Sequence, residues 1–214
     1  SSRWRVARQF AGSVTSARST RQRAAGVTVS MSSGFAPTLP ICGKVEVMTD
    51  PSYAAQIVTF TFPHIGNVGT NPQDIESQVE GADGCVVRED VTRHSSFRAE
   101  SEFVDWLKAQ GKIGLSGVDT RALTRRIRVL GAPNAVIAHD PKGQFDIPAL
   151  PRRAREWPGH EGMDLARRVS REKHEGWQGG PWKLAEAYAE APQDRRPHVV
   201  AVDYGSKDNI FRNL

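Results

Sequence analysis

Ser52 lies in a turn where a side-chain hydroxyl could contact a small ligand. It follows Asp50-Pro51, a pair that favours a tight turn because proline fixes φ and holds the residue before it extended. Residues 57–62 combine branched and aromatic side chains with threonine, which predicts a half-buried strand directly after the turn. A hydroxyl in this position can bind a polar ligand. The residue types alone favour a simpler interpretation, in which Ser52 only satisfies its own turn, because serine is a common turn residue.

The sequence contains no recognisable phosphate-binding loop and no metal-ligand pattern. Gly66-Asn67-Val68-Gly69 is too short for a phosphate-binding loop and does not open a helix. His139 has no second metal-type residue at a matching spacing, so it is interpreted as a residue at the end of a strand. We therefore expect no cofactor in this chain.

The two cysteines, Cys42 and Cys85, are far apart and belong to no C-x-x-C pair. This spacing argues against a disulfide framework and a zinc site, and it suits the reducing cytosol. Cys85 lies in the apolar run 84–87, which predicts a buried strand, so we expect a core residue rather than a nucleophile. No apolar run approaches the roughly 18–20 residues that a membrane span needs.

The positive charge of the chain is concentrated at its N-terminus. The formal net charge is +5, but residues 1–44, called the basic segment below, hold seven basic side chains and no acidic one. The remaining 22 basic side chains face 24 acidic ones, a net charge of −2. The overall charge is therefore no sign of a nucleic-acid partner for the folded part.

Alternating strand and helix patterns predict an α/β fold. Short strands are expected at 83–89, 113–115 and 134–138, with helices at 99–110 and 120–130 between them. The further elements that we expect are helices at 152–157 and 164–169, a loop at 176–182, a strand at 184–188, a linker at 192–197, a strand at 198–204 and a helix from about Asp208.

The helix at 120–130 has the clearest ends. Asp119 can accept hydrogen bonds from the first turn, and Gly131 ends the helix. Its expected apolar stripe consists of Leu123, Ile127 and Leu130. Arg121, Arg125 and Arg128 form a basic stripe on another face, which is interpreted as a solvated face or a subunit contact. The alternative is that this stripe and the basic segment bind nucleic acid. The basic segment offers only Trp4 and Phe10 for stacking on bases, which argues against that function.

Four sequence motifs, which occur in the same order as in a known family, carry a resemblance to that family. Residues 49–71 read T-D-P-S-Y-A-A-Q-I-V-T-F-T-F-P-H-I-G-N-V-G-T-N. The others are G-V-D-T-R-A-L-T-R at 117–125, G-M-D-L-A at 162–166 and H-V-V-A-V-D-Y-G at 198–205. Together they resemble the small chain of glutamine-hydrolysing carbamoyl-phosphate synthase, over about residues 44–214.

The resemblance implies a particular domain organisation. Residues 45–191 would form the mixed β/β/α-type N-terminal domain of the small chain, an α/β fold. Residues 192–197 would be a linker, and 198–214 would be the first strand and helix start of a class I glutamine amidotransferase domain. That domain carries a Cys/His/Glu triad, which we expect beyond Leu214. The 214 residues alone are therefore expected to have no glutaminase activity.

The resemblance also implies a function. The small chain releases ammonia from L-glutamine for a large subunit, which makes carbamoyl phosphate from bicarbonate and ATP for arginine and pyrimidine biosynthesis. ATP and divalent metal would bind to the large subunit, in a heterodimer or a higher oligomer located in the cytoplasm. Ser52 matches the family's serine that contacts the bound L-glutamine, so a ligand contact becomes the favoured interpretation for Ser52. No nucleic acid and no membrane is expected as a partner.

The basic segment allows three interpretations. It shows no sustained period of 2 or 3.6, and it lacks the residues that the family has before the T-D-P-S-Y word. It could be an organellar transit peptide, a basic arm, or a stretch outside the natural coding frame in a damaged or misread gene. Each interpretation predicts poor order, because few residues there can form a core.

Overall fold

A five-stranded sheet forms the centre of the structure, a computed structural model that describes residues 25–32, 44–62, 64–140, 144–184, 187–190 and 197–214. The strands are β1 (Ala25–Ser32), β2 (Gln56–Phe60), β3 (Gly84–Val86), β4 (Ile113–Leu115) and β5 (Asn134–Ile137). They lie in the order β4-β3-β2-β1-β5. The first four strands are parallel to one another, and β5 is antiparallel to β1. The sheet is therefore mixed and mostly parallel, which confirms the α/β prediction.

Helices cover both faces of this sheet. On one face, α1 (Lys44–Thr49) and α2 (Phe103–Ala109) pack on a cluster that includes Val58 and Phe60 of β2. On the other face, α3 (Thr120–Leu130) packs on a second cluster that includes Ile57. Alternate residues of β2 thus enter opposite cores, as the strand's period of two requires.

The remaining elements follow β5 along the chain. Three are the short helices α4 (Ala149–Glu156), α5 (Leu165–Val169) and α6 (Asp208–Arg212). The strands β6 (Gly179–Lys183) and β7 (Ala187–Glu190) pair as a separate antiparallel hairpin. The expectation of a loop at 176–182 was therefore wrong, because part of that stretch pairs with β7.

The helix at 120–130 was predicted with the correct ends. The Asp119 Oδ1 atom accepts a hydrogen bond from the Ala122 N–H at 3.0 Å, and Gly131 follows with a φ of 85°. Ile127 is buried, but Leu130 is 75% exposed, so the expected apolar stripe was wrong at its last residue. Leu130 belongs to the final turn of the helix, next to the exposed Val129.

Two further expectations need correction. The basic segment was expected to be poorly ordered, but residues 25–32 form β1 between β2 and β5; residues 1–24 and 33–43 lie outside the described residues. Residues 198–204 were expected to form a strand, but they have no regular structure, and Val200 is 80% exposed. A strand needs a neighbouring strand for its hydrogen bonds, and none of the described strands runs beside this segment. Most of the expected linker, 192–196, lies outside the described residues.

The N-cap of α3 gives a test of this fold. Asp119→Ala removes the side-chain acceptor for the Ala122 N–H, so the free energy of unfolding should fall by about 0.5–2 kcal/mol. Urea denaturation followed by circular dichroism measures the change. The matched control is Glu172→Ala at an exposed position, which should stay within about 0.5 kcal/mol of the parent. Equal stability of Asp119→Ala and the parent would show that the cap does not form.

Candidate functional site

Local hydrogen bonds hold the turn that carries Ser52, and the Ser52 hydroxyl is left open. Residues 50–55, called the Ser52 turn below, include a 3₁₀ turn at Pro51–Tyr53. The Ser52 N–H donates to Asp50 Oδ1 at 2.9 Å, and the Gln56 Nε2 group donates to the Ser52 carbonyl at 3.1 Å. Ser52 is exposed, and its hydroxyl makes no hydrogen bond with any residue that the structure describes. A ligand could therefore bind this hydroxyl without first breaking an internal bond.

The end of the turn is strained and supported from outside. Ala55 has a φ of 57°, a left-handed conformation that costs a residue with a Cβ atom about 1 kcal/mol or more. The His160 Nε2 atom lies 3.2 Å from the Ala55 carbonyl oxygen, at hydrogen-bonding distance. This conformation directs the chain from the turn straight into β2, and His160 helps to hold it there.

The last described residues of the chain pack against the Ser52 turn. Gly205 has a φ of 97°, and a Cβ atom built there would lie 2.4 Å from Val169 Cγ2 and 3.4 Å from Pro51 Cβ. Only glycine fits this close approach. Lys207 Nζ lies 4.0 Å from Asp50 Oδ2. The T-D-P-S-Y motif at 49–53 and the D-Y-G-S-K segment at 203–207, about 150 residues apart, are therefore neighbours in the fold.

An ion-pair cluster orders the loop that carries Gly205. Asp203 Oδ1 accepts hydrogen bonds from the N–H groups of Gly205 at 2.8 Å and Ser206 at 2.6 Å. The other oxygen of Asp203 lies 2.9 Å from Arg171 Nε, and Arg171 also pairs with Asp208. Burial raises the pKa of the Asp208 carboxyl, although Arg171 opposes the shift. These contacts hold the loop in one conformation beside the Ser52 turn.

The other residues singled out in the sequence do not join this site. Cys85 in β3 is fully buried, and burial raises the pKa of its thiol to about 12, so it cannot serve as a thiolate nucleophile at neutral pH. Cys42 lies outside the described residues. Arg121, Arg125 and Arg128 are exposed on α3, as expected for a solvated face.

Metal and membrane features are also missing from the part of the chain that the structure describes. No group of three or more His, Cys, Asp or Glu side chains there could hold a metal ion. No helix there is long and apolar enough to cross a membrane.

Sequence reasoning missed several residues of the site. It identified Ser52, but not His160, Gln56, Gly205 or Lys207 as its neighbours. The left-handed Gly205 follows an apolar run, and that placement was a usable signal for a tight turn. Nothing local in the sequence marks His160, because its contact with Ala55 spans 105 residues.

The fold and the turn define a class of protein, an α/β domain that presents a polar turn at the start of the central strand of a mostly parallel sheet. The family model of the carbamoyl-phosphate synthase small chain, CPSase domain, matches residues 15–137, more than half of the chain. The chain therefore belongs to the carbamoyl-phosphate synthase small chain family. This match begins upstream of residue 44, where the resemblance was expected to stop, and it includes β1.

Curated relatives carry the same name. The carbamoyl phosphate synthase small chain of Zymomonas mobilis is 59% identical over 172 residues, which are 80% of this chain and 46% of the relative. The small chains of Brucella anthropi and Brucella ovis are each 52% identical, over 81% of this chain and 44% of the relative. The chain thus spans about half the length of the curated relatives that it matches.

The buried thiol gives a test that is independent of any ligand. In a Cys42→Ser variant, Cys85 is the one remaining thiol, and at pH 8 it should react with a disulfide reagent at least about 100-fold more slowly than a free thiol. Denaturation should restore the ordinary rate, because the thiol then becomes exposed. Absorbance from the released reagent anion measures both rates. Fast reaction of the native protein would contradict the buried position of Cys85.

Proposed function

We propose that this chain is the N-terminal part of the small subunit of a glutamine-hydrolysing carbamoyl-phosphate synthase, and that the Ser52 turn is part of its L-glutamine site. The observation that carries the proposal is the open Ser52 hydroxyl on a turn packed against the Gly205 loop. The strong similarity to proteins named carbamoyl phosphate synthase small chain supports the assignment.

The chemistry of the turn suits an amino-acid ligand. L-Glutamine carries a carboxylate, an ammonium group and a side-chain amide, and a serine hydroxyl can donate to the first or accept from the other two. The Ser52 backbone is held by Asp50 and Gln56, so its hydroxyl is presented by a fixed main chain. Preorganisation of this kind lowers the entropic cost of binding.

The hydrolytic step needs groups that the described residues do not supply. The thiol of Cys85 is buried, so it does not attack an amide. In this proposal a Cys/His/Glu triad in a glutamine amidotransferase domain releases the ammonia, and the 214 residues alone have no glutaminase activity. The ammonia passes to a large subunit, which holds ATP and divalent metal and makes carbamoyl phosphate from bicarbonate for arginine and pyrimidine biosynthesis. The complete enzyme is a ligase of the cytoplasm.

A hybrid enzyme tests the proposal directly. The matching residues of this chain replace their counterparts in the Zymomonas mobilis small chain, 59% identical, and the hybrid is assembled with that organism's large chain. Ser52→Ala should raise the KM for glutamine about 5–30-fold, the effect of losing one hydrogen bond of about 1–2 kcal/mol. Steady-state kinetics of carbamoyl phosphate formation, with glutamine and separately with ammonia, measures the change.

The control is a serine away from the turn. Ser95 is exposed, so Ser95→Ala should leave the KM for glutamine within about twofold of the parent hybrid. The rate with ammonia reports how much intact enzyme each preparation contains. An unchanged KM in Ser52→Ala, in a hybrid that makes carbamoyl phosphate from glutamine, would refute a role for Ser52 in binding glutamine.

A further inference from the structure

Glu76 is a buried carboxylate that contacts the end of the described chain. Glu76 is 6% exposed. The Oε2 atom accepts a hydrogen bond from the Asn209 N–H at 2.7 Å, and the Glu76 carbonyl accepts one from the Asp208 N–H at 2.8 Å. Arg212 Nη1 lies 3.7 Å from the same Oε2 atom. One residue therefore holds the whole start of α6.

The backbone of Glu76 is tied to the Ser52 turn from the other side. Its N–H donates to the Thr49 hydroxyl oxygen at 3.0 Å, and that hydroxyl donates to the Val45 carbonyl at 2.7 Å. Thr49 is the last residue of α1 and directly precedes Asp50, the residue that caps the Ser52 N–H. A continuous set of hydrogen bonds thus runs from Asn209 through Glu76 to the base of the turn.

Aromatic rings fix the partner of Glu76. The Arg212 guanidinium stacks on Tyr188 of the hairpin at 4.1 Å and lies 5.8 Å from Trp177. Its side chain is 9% exposed, and its Nη1 atom has no hydrogen-bond partner in the described structure. Arg212 is therefore held mainly by stacking and by the charge of Glu76. This arrangement fixes α6 in orientation as well as in position.

We propose that Glu76 is a positioning residue for the glutamine site, which sets the Gly205–Arg212 stretch at a fixed distance from the Ser52 turn. This inference rests on the proposed function, because it assigns Glu76 to the same site. Glu76 itself is buried and would not touch glutamine. It would act by keeping Gly205 and Lys207 against Pro51 and Asp50, so that the Ser52 turn keeps a constant position relative to the ligand.

The burial of Glu76 affects its charge state and its contribution to stability. Burial raises the pKa of its carboxyl, although the Asn209 N–H, Arg212 and Lys207 act in the opposite direction. A carboxyl whose folded pKa is raised contributes stability below its unfolded pKa and loses it as pH rises through the folded value. At neutral pH the ionised carboxyl therefore adds no stability through its own titration. Replacing both partners of a buried ion pair by apolar residues can be neutral, whereas removing Glu76 alone leaves the buried Arg212 charge unpaired and destabilises the fold.

Amide hydrogen exchange on the 214-residue chain tests the contact itself. Glu76→Ala removes the acceptor for the Asn209 N–H, so that amide should exchange at least about 10-fold faster. Glu76→Gln keeps an oxygen in place and should retain protection within about threefold. The control is Glu89→Gln. The Glu89 side chain is 61% exposed, and this substitution should leave the exchange rate of the Asn209 amide unchanged. Equal protection of Asn209 in Glu76→Ala and the parent would overturn the proposal.

A double-mutant cycle in the hybrid enzyme tests positioning. Glu76→Ala should raise the KM for glutamine about 5–30-fold with kcat within about twofold, and Glu76→Gln should restore most of the loss. If Glu76 acts through Ser52, the double variant with Ser52→Ala should have a KM no more than about threefold above the higher single variant. A separate structural role would instead multiply the two effects.

The outcomes separate this inference from the proposed function. If Ser52→Ala raises KM but Glu76→Ala does not, Glu76 is not a positioning residue and the glutamine site stands. The positioning role would also be overturned if the double variant multiplied the KM effects of the two single variants. The same holds if Glu76→Ala raised KM and Ser52→Ala did not. If Ser52→Ala has no effect, the proposed glutamine contact fails.

Discussion

Burial of β2 on both faces is the constraint that the rest of the structure depends on. Ile57 and Val58 are both completely buried, and they belong to clusters on opposite sides of the sheet. A shift of one residue would exchange the two faces, so the register of β2 is fixed by packing. The Ser52 turn enters β2 directly through Ala55, and it therefore inherits this fixed position.

The second constraint is the close approach of the C-terminal stretch to that turn. Gly205 leaves no room for a Cβ atom beside Val169 and Pro51, and Arg171 neutralises the carboxylates that surround the loop. Glu76 then connects α6 to the residue before the turn. The candidate site is thus made by two distant parts of the chain, and each is positioned by polar contacts that are buried in part.

The sequence predicted the elements whose boundaries are set by local chemistry. The helix at Thr120–Leu130 was found because Asp119 and Gly131 mark its ends, and β4 was found within correct bounds. β1 was missed, although residues 27–31 alternate apolar and hydroxyl side chains, because the basic flanks dominated its composition. The apolar run 198–204 was wrongly predicted as a strand, because pairing depends on neighbours that composition does not report.

The same limit applies to the candidate site. The Ser52 turn was predicted from its proline, its serine and the family resemblance. Glu76 and His160 were not, since their contacts with Asn209 and Ala55 span 133 and 105 residues. Such contacts follow from packing of the whole domain, and no spacing rule within one element can supply them.

Nuclear Overhauser effects at Gly205 would test most directly whether the two parts of the chain form one site. In the 214-residue chain, the Gly205 Hα protons should show cross-peaks to the Val169 methyl groups and to the Pro51 side chain, because a Cβ atom built at Gly205 would lie 2.4 Å from Val169 Cγ2 and 3.4 Å from Pro51 Cβ. Absence of both cross-peaks, with random-coil shifts at Asp203 and Ser206, would contradict the account.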